Sequence, residues 1–135
     1  MKSINDIRVL VIDDSPRFLE QFEEMLNVVG IDKVKTCNSA QEAIDLLSNG
    51  APILKEIDII ICDQHMDKCT GIDILKILRV HKTKEQMPFF LITSDATKPN
   101  IIMMAQSGGN NFIAKPPVPD DIAKKIRDVF GLANE

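Results

Sequence analysis

One stretch of the sequence points most directly to the fold: Arg8-Val-Leu-Val-Ile12, followed at once by Asp13 and Asp14. A short continuous run rich in Val and Ile is typical of a strand buried on both faces, as in a parallel sheet. An edge strand is expected where apolar and polar residues alternate, at Lys33-Val-Lys-Thr-Cys37. Three further continuous runs predict three more buried strands: Asp58-Ile-Ile-Ile-Cys62, Phe89-Phe-Leu-Ile-Thr93 and Phe112-Ile-Ala114.

The segments between these strands carry helical patterns. Ser15 and Pro16 suit the cap and first turn of a helix that has apolar residues at steps of three and four and stops at Gly30. A capping box, Ser39-Ala-Gln-Glu42, begins a second helix, which stops at Gly50. The three remaining helices are predicted around Ile72, Leu75 and Leu78, from Pro99 to Gly108, and from Pro119 or Asp120 onward.

Strand and helix alternate five times, and successive strands begin 23–31 residues apart. This is the spacing of βαβ units, which build a parallel sheet covered by helices. A chain of 135 residues is also the ordinary size of one domain. We therefore predict a single α/β domain over residues 1–135, with a five-stranded parallel sheet and helices on both of its faces.

The composition argues against several classes of protein. Lys and Arg number 16 against 20 Asp and Glu, a net charge of −4, so we expect no direct binding of nucleic acid. The longest apolar runs are about five residues, far below the roughly 20 of a membrane span, so we expect no membrane insertion. The amino terminus lacks the apolar region of a signal peptide, and three cysteines suit a reducing compartment. A cytoplasmic location is expected.

Polar side chains follow the predicted strands at their carboxyl ends, where open α/β sheets bind ligands. Asp13 and Asp14 follow the first strand, Asp63 the third, Thr93 ends the fourth and Lys115 follows the fifth. In the flavodoxin-like strand order 2-1-3-4-5 the first and third strands are neighbours, so the three carboxylates would converge beside a hydroxyl and an ammonium. Clustered carboxylates favour a hard cation such as Mg²⁺, and such a site would stabilise a phosphoryl group.

In these positions the chain resembles the receiver domain of two-component response regulators. The resemblance rests on Asp13-Asp14, Asp63, Thr93 and Lys115-Pro116, each at the expected strand end, and it covers roughly residues 7–130. It implies a flavodoxin-like (CheY-like) fold with strand order 2-1-3-4-5. It further implies a phosphorylation-dependent switch that catalyses its own phosphorylation and dephosphorylation, rather than a metabolic enzyme.

The resemblance also implies individual roles. Asp63 would accept a phosphoryl group from a sensor histidine kinase or a histidine phosphotransfer protein, and Thr93 and Lys115 would contact the phosphoryl oxygens. Thr93 and Phe112 would form the switch that alters binding to a downstream protein. The Lys115–Pro116 bond would be cis. The expected Mg²⁺ ligands are Asp13, Asp14, Asp63 and the backbone carbonyl of His65.

The resemblance also implies an output surface on the fourth helix, the fifth strand and the fifth helix, which receivers commonly offer to partners. Within the helix, we expect Ile101, Ile102 and Ala105 to cover the core-facing side, which leaves one methionine exposed as an adaptable binding residue. The predicted surface contains Ile102, Met103, Met104, Phe112 and Ala114.

Two side chains are predicted to tune the lifetime of the phosphoryl group. His65 and Asp95 stand two residues after Asp63 and Thr93, and in receivers these positions flank the path of the attacking water. The segment after Asp63 departs from the family pattern. Members often read Asp-x-x-Met-Pro and then Asp-Gly, whereas here Asp67 replaces the proline and Thr70 replaces the acid before Gly71.

Whether the chain stands alone or is part of a longer regulator is open, and so are three alternatives for its chemistry. The first is a Mg²⁺-dependent phosphohydrolase with an aspartyl-phosphate intermediate; such enzymes usually carry an acid two residues after the nucleophile, where this chain has His65. The second is an unphosphorylated receiver that serves as a scaffold. The third is a zinc site from Cys62, His65 and Cys69, which would need a fourth ligand.

Overall fold

The computed structural model describes residues 3–48 and 52–133, and it confirms the alternation of strands and helices. Gly50, the predicted stop of the second helix, lies outside the described residues. Short 3₁₀ helices span Ile4–Asp6 and Pro52–Lys55. The strands are β1 (Arg8–Ile12), β2 (Lys33–Cys37), β3 (Ile59–Asp63), β4 (Phe89–Thr93) and β5 (Asn111–Ala114). The helices are α1 (Pro16–Val28), α2 (Ala40–Leu47), α3 (Gly71–His81), α4 (Lys98–Gln106) and α5 (Pro119–Phe130).

The five strands form one parallel sheet in the order β2-β1-β3-β4-β5, as the sequence predicts. Three strand boundaries differ from the prediction by one residue, since β3 begins after Asp58 and ends at Asp63, and β5 begins at Asn111. The Asp58 carboxylate accepts the backbone N–H of Arg8 at 2.8 Å and pairs with the Arg8 guanidinium, which ties the start of β1 to the residue that precedes β3. The order places β1 and β3 side by side, with their carboxyl ends at one edge.

The sheet separates two hydrophobic cores, because successive strand side chains point to opposite faces. Val9 and Val11 of β1 pack with α1 and α5, whereas Leu10 and Ile12 pack with α2, α3 and α4. Helices therefore cover both faces. None of the helices in the described residues has the length and apolar character that a membrane span requires.

Helix α4 faces the core differently from the prediction. Ile102 and Ala105 are exposed, Ile101 is half-buried, and Met104 is buried, so the expectation of a core face made by Ile101, Ile102 and Ala105 is wrong for two of the three residues. Met104 points inward because of Gly109, which follows the end of α4. Gly109 has no side chain, and Met104 occupies the space that a Cβ there would need. A methionine fits such an irregular gap because its side chain is unbranched and flexible.

Candidate functional site at the carboxyl ends of the strands

Three carboxylates meet at the carboxyl edge of β1 and β3. Asp63 is the last residue of β3, and Asp13 and Asp14 directly follow β1. One oxygen from each lies within 4.8 Å of the others. Asp13 and Asp63 are buried, at 1% and 4% exposure, whereas Asp14 faces solvent. The neighbouring strands β1 and β3 thus bring together the three acids that the sequence placed at their ends.

Lys115 joins this cluster from the end of β5. Its Nζ lies 3.0 Å from Asp63 Oδ1 and 3.6 Å from Asp13 Oδ2. The backbone N–H of Lys115 donates to the backbone carbonyl of Thr93 at 2.9 Å, so Lys115 still pairs with the end of β4. The Lys115–Pro116 bond is cis, in agreement with the sequence prediction. The ammonium is therefore the direct cationic partner of the predicted phosphoacceptor.

Asp13 carries the clearest sign of an incomplete site. Its Oδ1 accepts the Ser15 N–H at 2.8 Å, but its buried Oδ2 has no hydrogen-bond partner among the described residues. Burial raises the pKa of Asp13, and so do the charges of Asp63 and Asp14, against the lowering effects of the Ser15 bond and of Lys115. A cation among three carboxylates would remove this cost, and oxygen-only ligands suit Mg²⁺. The residues present therefore fit the metal that the sequence predicts.

Thr93 ends β4, the strand next to β3, and is buried at 3% exposure. Its Oγ1 accepts the backbone N–H of Asp95 at 3.0 Å, which fixes the turn after the strand. The Asp95 side chain and His65 are both exposed, as their predicted place beside a water path requires.

The loop after β3 shows how the chain accommodates its departures from the family pattern. Thr70 caps α3 through a capping box with Asp73, so it supplies the helix start where members often have an acid. Asp67 donates its backbone N–H to Asp14 Oδ2 at 2.8 Å, a bond that a proline could not make. Gly71 is required because a Cβ there would lie 2.6 Å from the Asp63 carbonyl oxygen. The sequence analysis missed the Asp67 bond and the Thr70 cap; the spacing Thr70-x-x-Asp73 was the signal for the second.

The five residues of the predicted output surface differ in exposure. Ile102, Met103 and Ala114 are exposed and Phe112 is half-buried, but Met104 is buried at 3% exposure and is not available to a partner.

Lys125 of α5 lies over the Phe112 ring. Its Nζ is 4.5 Å from the ring centroid, and it donates to the Phe112 carbonyl at 2.6 Å. The same Nζ pairs with Asp121 Oδ2 at 3.1 Å, and the Lys125 side chain is only 19% exposed. These contacts hold the predicted switch residue in its half-buried position.

The cysteines do not form the alternative zinc site. Cys62 is fully buried, its Sγ donates to the Asp63 carbonyl at 3.4 Å, and burial raises its pKa well above the usual value. Within residues 3–48 and 52–133, the acidic cluster is the one group of potential ligands with metal-binding spacing.

Comparisons with known proteins agree with this geometry. The family model described as "Response regulator receiver domain" matches residues 9–127. A chemotaxis protein CheY homolog from Campylobacter jejuni subsp. jejuni is 30% identical over 128 residues, which cover 95% of each chain. The chemotaxis protein CheY of Pseudomonas aeruginosa is 25% identical over 128 residues, covering 95% of this chain and 99% of that protein.

A solved structure leads to the same family. The response regulator receiver domain protein from Clostridium thermocellum superimposes with a TM-score of 0.79 at 26% identity, covering 93% of this chain and 94% of that one. CheY-like receivers are phosphoacceptor signalling switches that work with histidine kinases and downstream targets, and they typically bind Mg²⁺ at an acidic pocket. The match over most of the chain, together with the strand order, establishes that this protein belongs to the response regulator receiver domain family.

Proposed function

We propose that the chain, as a single cytoplasmic domain, takes a phosphoryl group from a phosphohistidine onto Asp63, requires Mg²⁺ to do so, and thereby changes its affinity for a downstream protein. The observation that carries the proposal is the surroundings of Asp63. This buried carboxylate lies 3.0 Å from the Lys115 ammonium and within 4.8 Å of two further carboxylates.

The transfer is an in-line displacement at phosphorus. A carboxylate oxygen of Asp63 attacks, the O–P bond forms as the P–N bond breaks, and the histidine nitrogen leaves with the electron pair. Lys115 and the Thr93 hydroxyl supply a positive charge and a donor for the phosphoryl oxygens, so little covalent chemistry is asked of the protein. Because Lys115 already pairs with Asp63, it is in place before the phosphoryl group arrives.

The carboxylates of Asp13, Asp14 and Asp63 would hold Mg²⁺, together with the backbone carbonyl of His65. When bound, the ion supplies the positive charge that offsets the clustered carboxylates and the phosphoryl oxygens. Asp13 Oδ2 is buried and without a hydrogen-bond partner among the described residues, which supports this ligand set.

The phosphoryl donor in this proposal is a sensor histidine kinase or a histidine phosphotransfer protein. The output is binding to a downstream protein through Ile102, Met103, Phe112 and Ala114, with Thr93 and Phe112 as the switch residues. A change of this kind is a shift between two pre-existing arrangements of the surface. Exposed apolar side chains at Ile102 and Met103, 44% and 50% exposed, support this face as the output surface.

The test is phosphorylation by a small phosphodonor such as phosphoramidate, followed by intact-mass spectrometry. Wild-type protein should gain one phosphoryl group, and only when Mg²⁺ is present. Asp63→Asn should gain none, whereas the control Asp128→Asn, at an exposed acid on α5, should match wild type. Labelling of Asp63→Asn at the wild-type level would refute the proposal. Steady turnover of a generic phosphate ester would favour the phosphohydrolase alternative instead.

A further inference from the structure

Phe18, in the first turn of α1, lies against the ammonium of Lys115. Lys115 Nζ stands 4.3 Å from the centroid of the Phe18 ring. The same Nζ lies 3.0 Å from Asp63 Oδ1 and 3.6 Å from Asp13 Oδ2. The ammonium thus contacts an aromatic ring and two buried carboxylates.

The position of the Phe18 ring is fixed by its own element. The Phe18 N–H donates to the Ser15 Oγ at 3.2 Å, which anchors the first turn of α1. The ring stacks on Phe22, with centroids 5.6 Å apart and an interplanar angle of 20°, and Phe22 is fully buried. A lysine side chain is flexible along four carbons, so a rigid neighbour is what restricts where its charge can lie.

We propose that Phe18 is a positioning residue for phosphoryl transfer, an inference that rests on the proposed function. The negative face of the ring attracts the ammonium and keeps it at contact distance from Asp63, where it meets the incoming phosphoryl oxygens. The Phe18 side chain has no polar atom with which to bind the phosphoryl group, so its effect on the transfer is exerted through Lys115. The Lys115 side chain is 27% exposed, and this partial desolvation strengthens the attraction to the ring.

An aromatic face and a merely apolar neighbour can be told apart by substitution. Leucine at position 18 keeps an apolar side chain but loses the ring quadrupole, whereas tyrosine keeps the aromatic face. Phe22 provides the matched control, because it belongs to the same stack and the contact to Lys115 is made by Phe18.

The experiment measures the phosphorylation rate with phosphoramidate and Mg²⁺ for wild type, Phe18→Leu, Phe18→Tyr and Phe22→Leu. We expect Phe18→Leu to be slower by roughly three- to tenfold, and Phe18→Tyr to stay within about twofold of wild type. Phe22→Leu should lower the melting temperature more than Phe18→Leu but slow the reaction less. In a Lys115→Ala background, Phe18→Leu should have no further effect on the rate, because the residue acts through that ammonium.

A second readout, besides the reaction rate, separates positioning from packing. Phe18→Leu should remove the ring-current shift of the Lys115 Cε protons in the NMR spectrum, and Phe18→Tyr should retain it. The inference is overturned if Phe18→Leu reacts at the wild-type rate, if it slows the Lys115→Ala protein by the same factor, or if Phe18→Tyr is as slow as Phe18→Leu. Wild-type protein that takes up no phosphoryl group would instead refute the proposed function itself.

Discussion

At the scale of single residues, the site holds more negative charge than its surroundings neutralise. Asp13 is buried, its Oδ2 lacks a hydrogen-bond partner among the described residues, and Lys115 divides its ammonium between Asp13 and Asp63. Mutual repulsion of buried carboxylates costs stability unless a cation is bound. The arrangement of carboxylates that suits a cation therefore lowers the stability of the metal-free fold.

One substitution should therefore stabilise the metal-free fold and weaken the binding of Mg²⁺. Asp13→Asn should raise the free energy of unfolding of the metal-free chain by about 1–2 kcal/mol, because it removes a buried charge but keeps the acceptor for the Ser15 N–H. The same change should weaken Mg²⁺ binding at least tenfold. Urea unfolding in the presence of a chelator measures the first effect and titration calorimetry the second. A destabilised metal-free variant with unchanged Mg²⁺ affinity would contradict this description of Asp13.

Two exposed side chains at the same edge should set the lifetime of the phosphoryl group. We expect His65→Ala and Asp95→Ala each to change the dephosphorylation rate by more than about threefold, roughly 0.7 kcal/mol in the barrier. The reason is their predicted place on the path of the attacking water, where they shield the phosphoryl group or orient the water. Phosphate release from pre-phosphorylated protein between pH 5.5 and 8 is the measurement. Rates within twofold of wild type would show that these side chains do not control the lifetime.

Much of the candidate site follows from the sequence because it lies at strand ends. A parallel sheet brings the ends of adjacent strands to one edge, so Asp13, Asp14, Asp63 and Lys115 could be placed together from strand positions alone. Phe18 could not, since its apolar spacing fits the core stripe of α1 equally well. The Asp67 bond to Asp14 is made by the backbone, and side-chain identity carries no signal for it.

At the scale of elements, Lys125 connects α5 to β5 at Phe112, the predicted switch residue. It contacts the ring and the carbonyl of Phe112 and also pairs with Asp121. Lys125→Met keeps the apolar stem but removes the ammonium, so the half-buried arrangement of Phe112 loses its support. We expect phosphorylation by a small donor to become roughly two- to fivefold faster, as the equilibrium shifts toward the other arrangement.

A matched control for this prediction lies next to Lys125 on α5. Lys124 is exposed and pairs with Asp128 four residues on, so Lys124→Met removes a lysine charge without touching Phe112. It should react at the wild-type rate, and the NMR signals of Phe112 should stay in place. Equal acceleration by both substitutions would assign the effect to net charge instead of to the Phe112 contact.

The Arg8–Asp58 ion pair joins the starts of β1 and β3, and its contribution to the stability of the fold depends on pH. Burial raises the pKa of Asp58, but the hydrogen bonds and charge of Arg8 outweigh it, and the pKa is lowered overall. An acid with a lowered pKa in the folded state stabilises the fold above its unfolded pKa of about 3.9, and this contribution disappears as the pH falls through the folded value. Asp58→Asn should therefore lower the free energy of unfolding by about 1–2 kcal/mol at pH 7.

The pH dependence of unfolding tests this prediction. The difference in the free energy of unfolding between wild type and Asp58→Asn should shrink steadily below about pH 4. Glu56→Gln is the control, because Glu56 forms an exposed pair with Lys35 and exposed pairs contribute little. A difference that stays constant down to pH 2 would mean that the Asp58 charge is not its source.

The elements themselves were largely predictable, for a physical reason. Strands buried on both faces must be continuous apolar runs, so β1 and β4 appear in the sequence with their observed boundaries. The predicted core-facing side of α4 was wrong, because consecutive apolar residues in its sequence lie on several faces of the helix. Its orientation depends on the space beside Gly109, which accepts Met104, and a long-range packing fit of that kind has no local pattern.

At the scale of the whole molecule, the sheet connects the two regions to which the proposed function assigns different roles. The carboxylates lie at the ends of β1 and β3, and the exposed apolar residues lie on α4 beside β5. Thr93 at the end of β4 stands between them, since β4 pairs with β3 on one side and with β5 on the other. One strand therefore separates Asp63 of β3 from Phe112 of β5.

The central claim is that a phosphoryl group on Asp63 alters the surface formed by α4 and β5. NMR spectra of the chain with and without beryllofluoride and Mg²⁺ test it most directly, because beryllofluoride mimics an acyl phosphate without turnover. We predict shifts in the Asp63 loop, at Thr93, at Phe112 and across residues 99–107, all of them absent in Asp63→Asn. Shifts confined to the Asp63 loop, or equal shifts in Asp63→Asn, would contradict the claim.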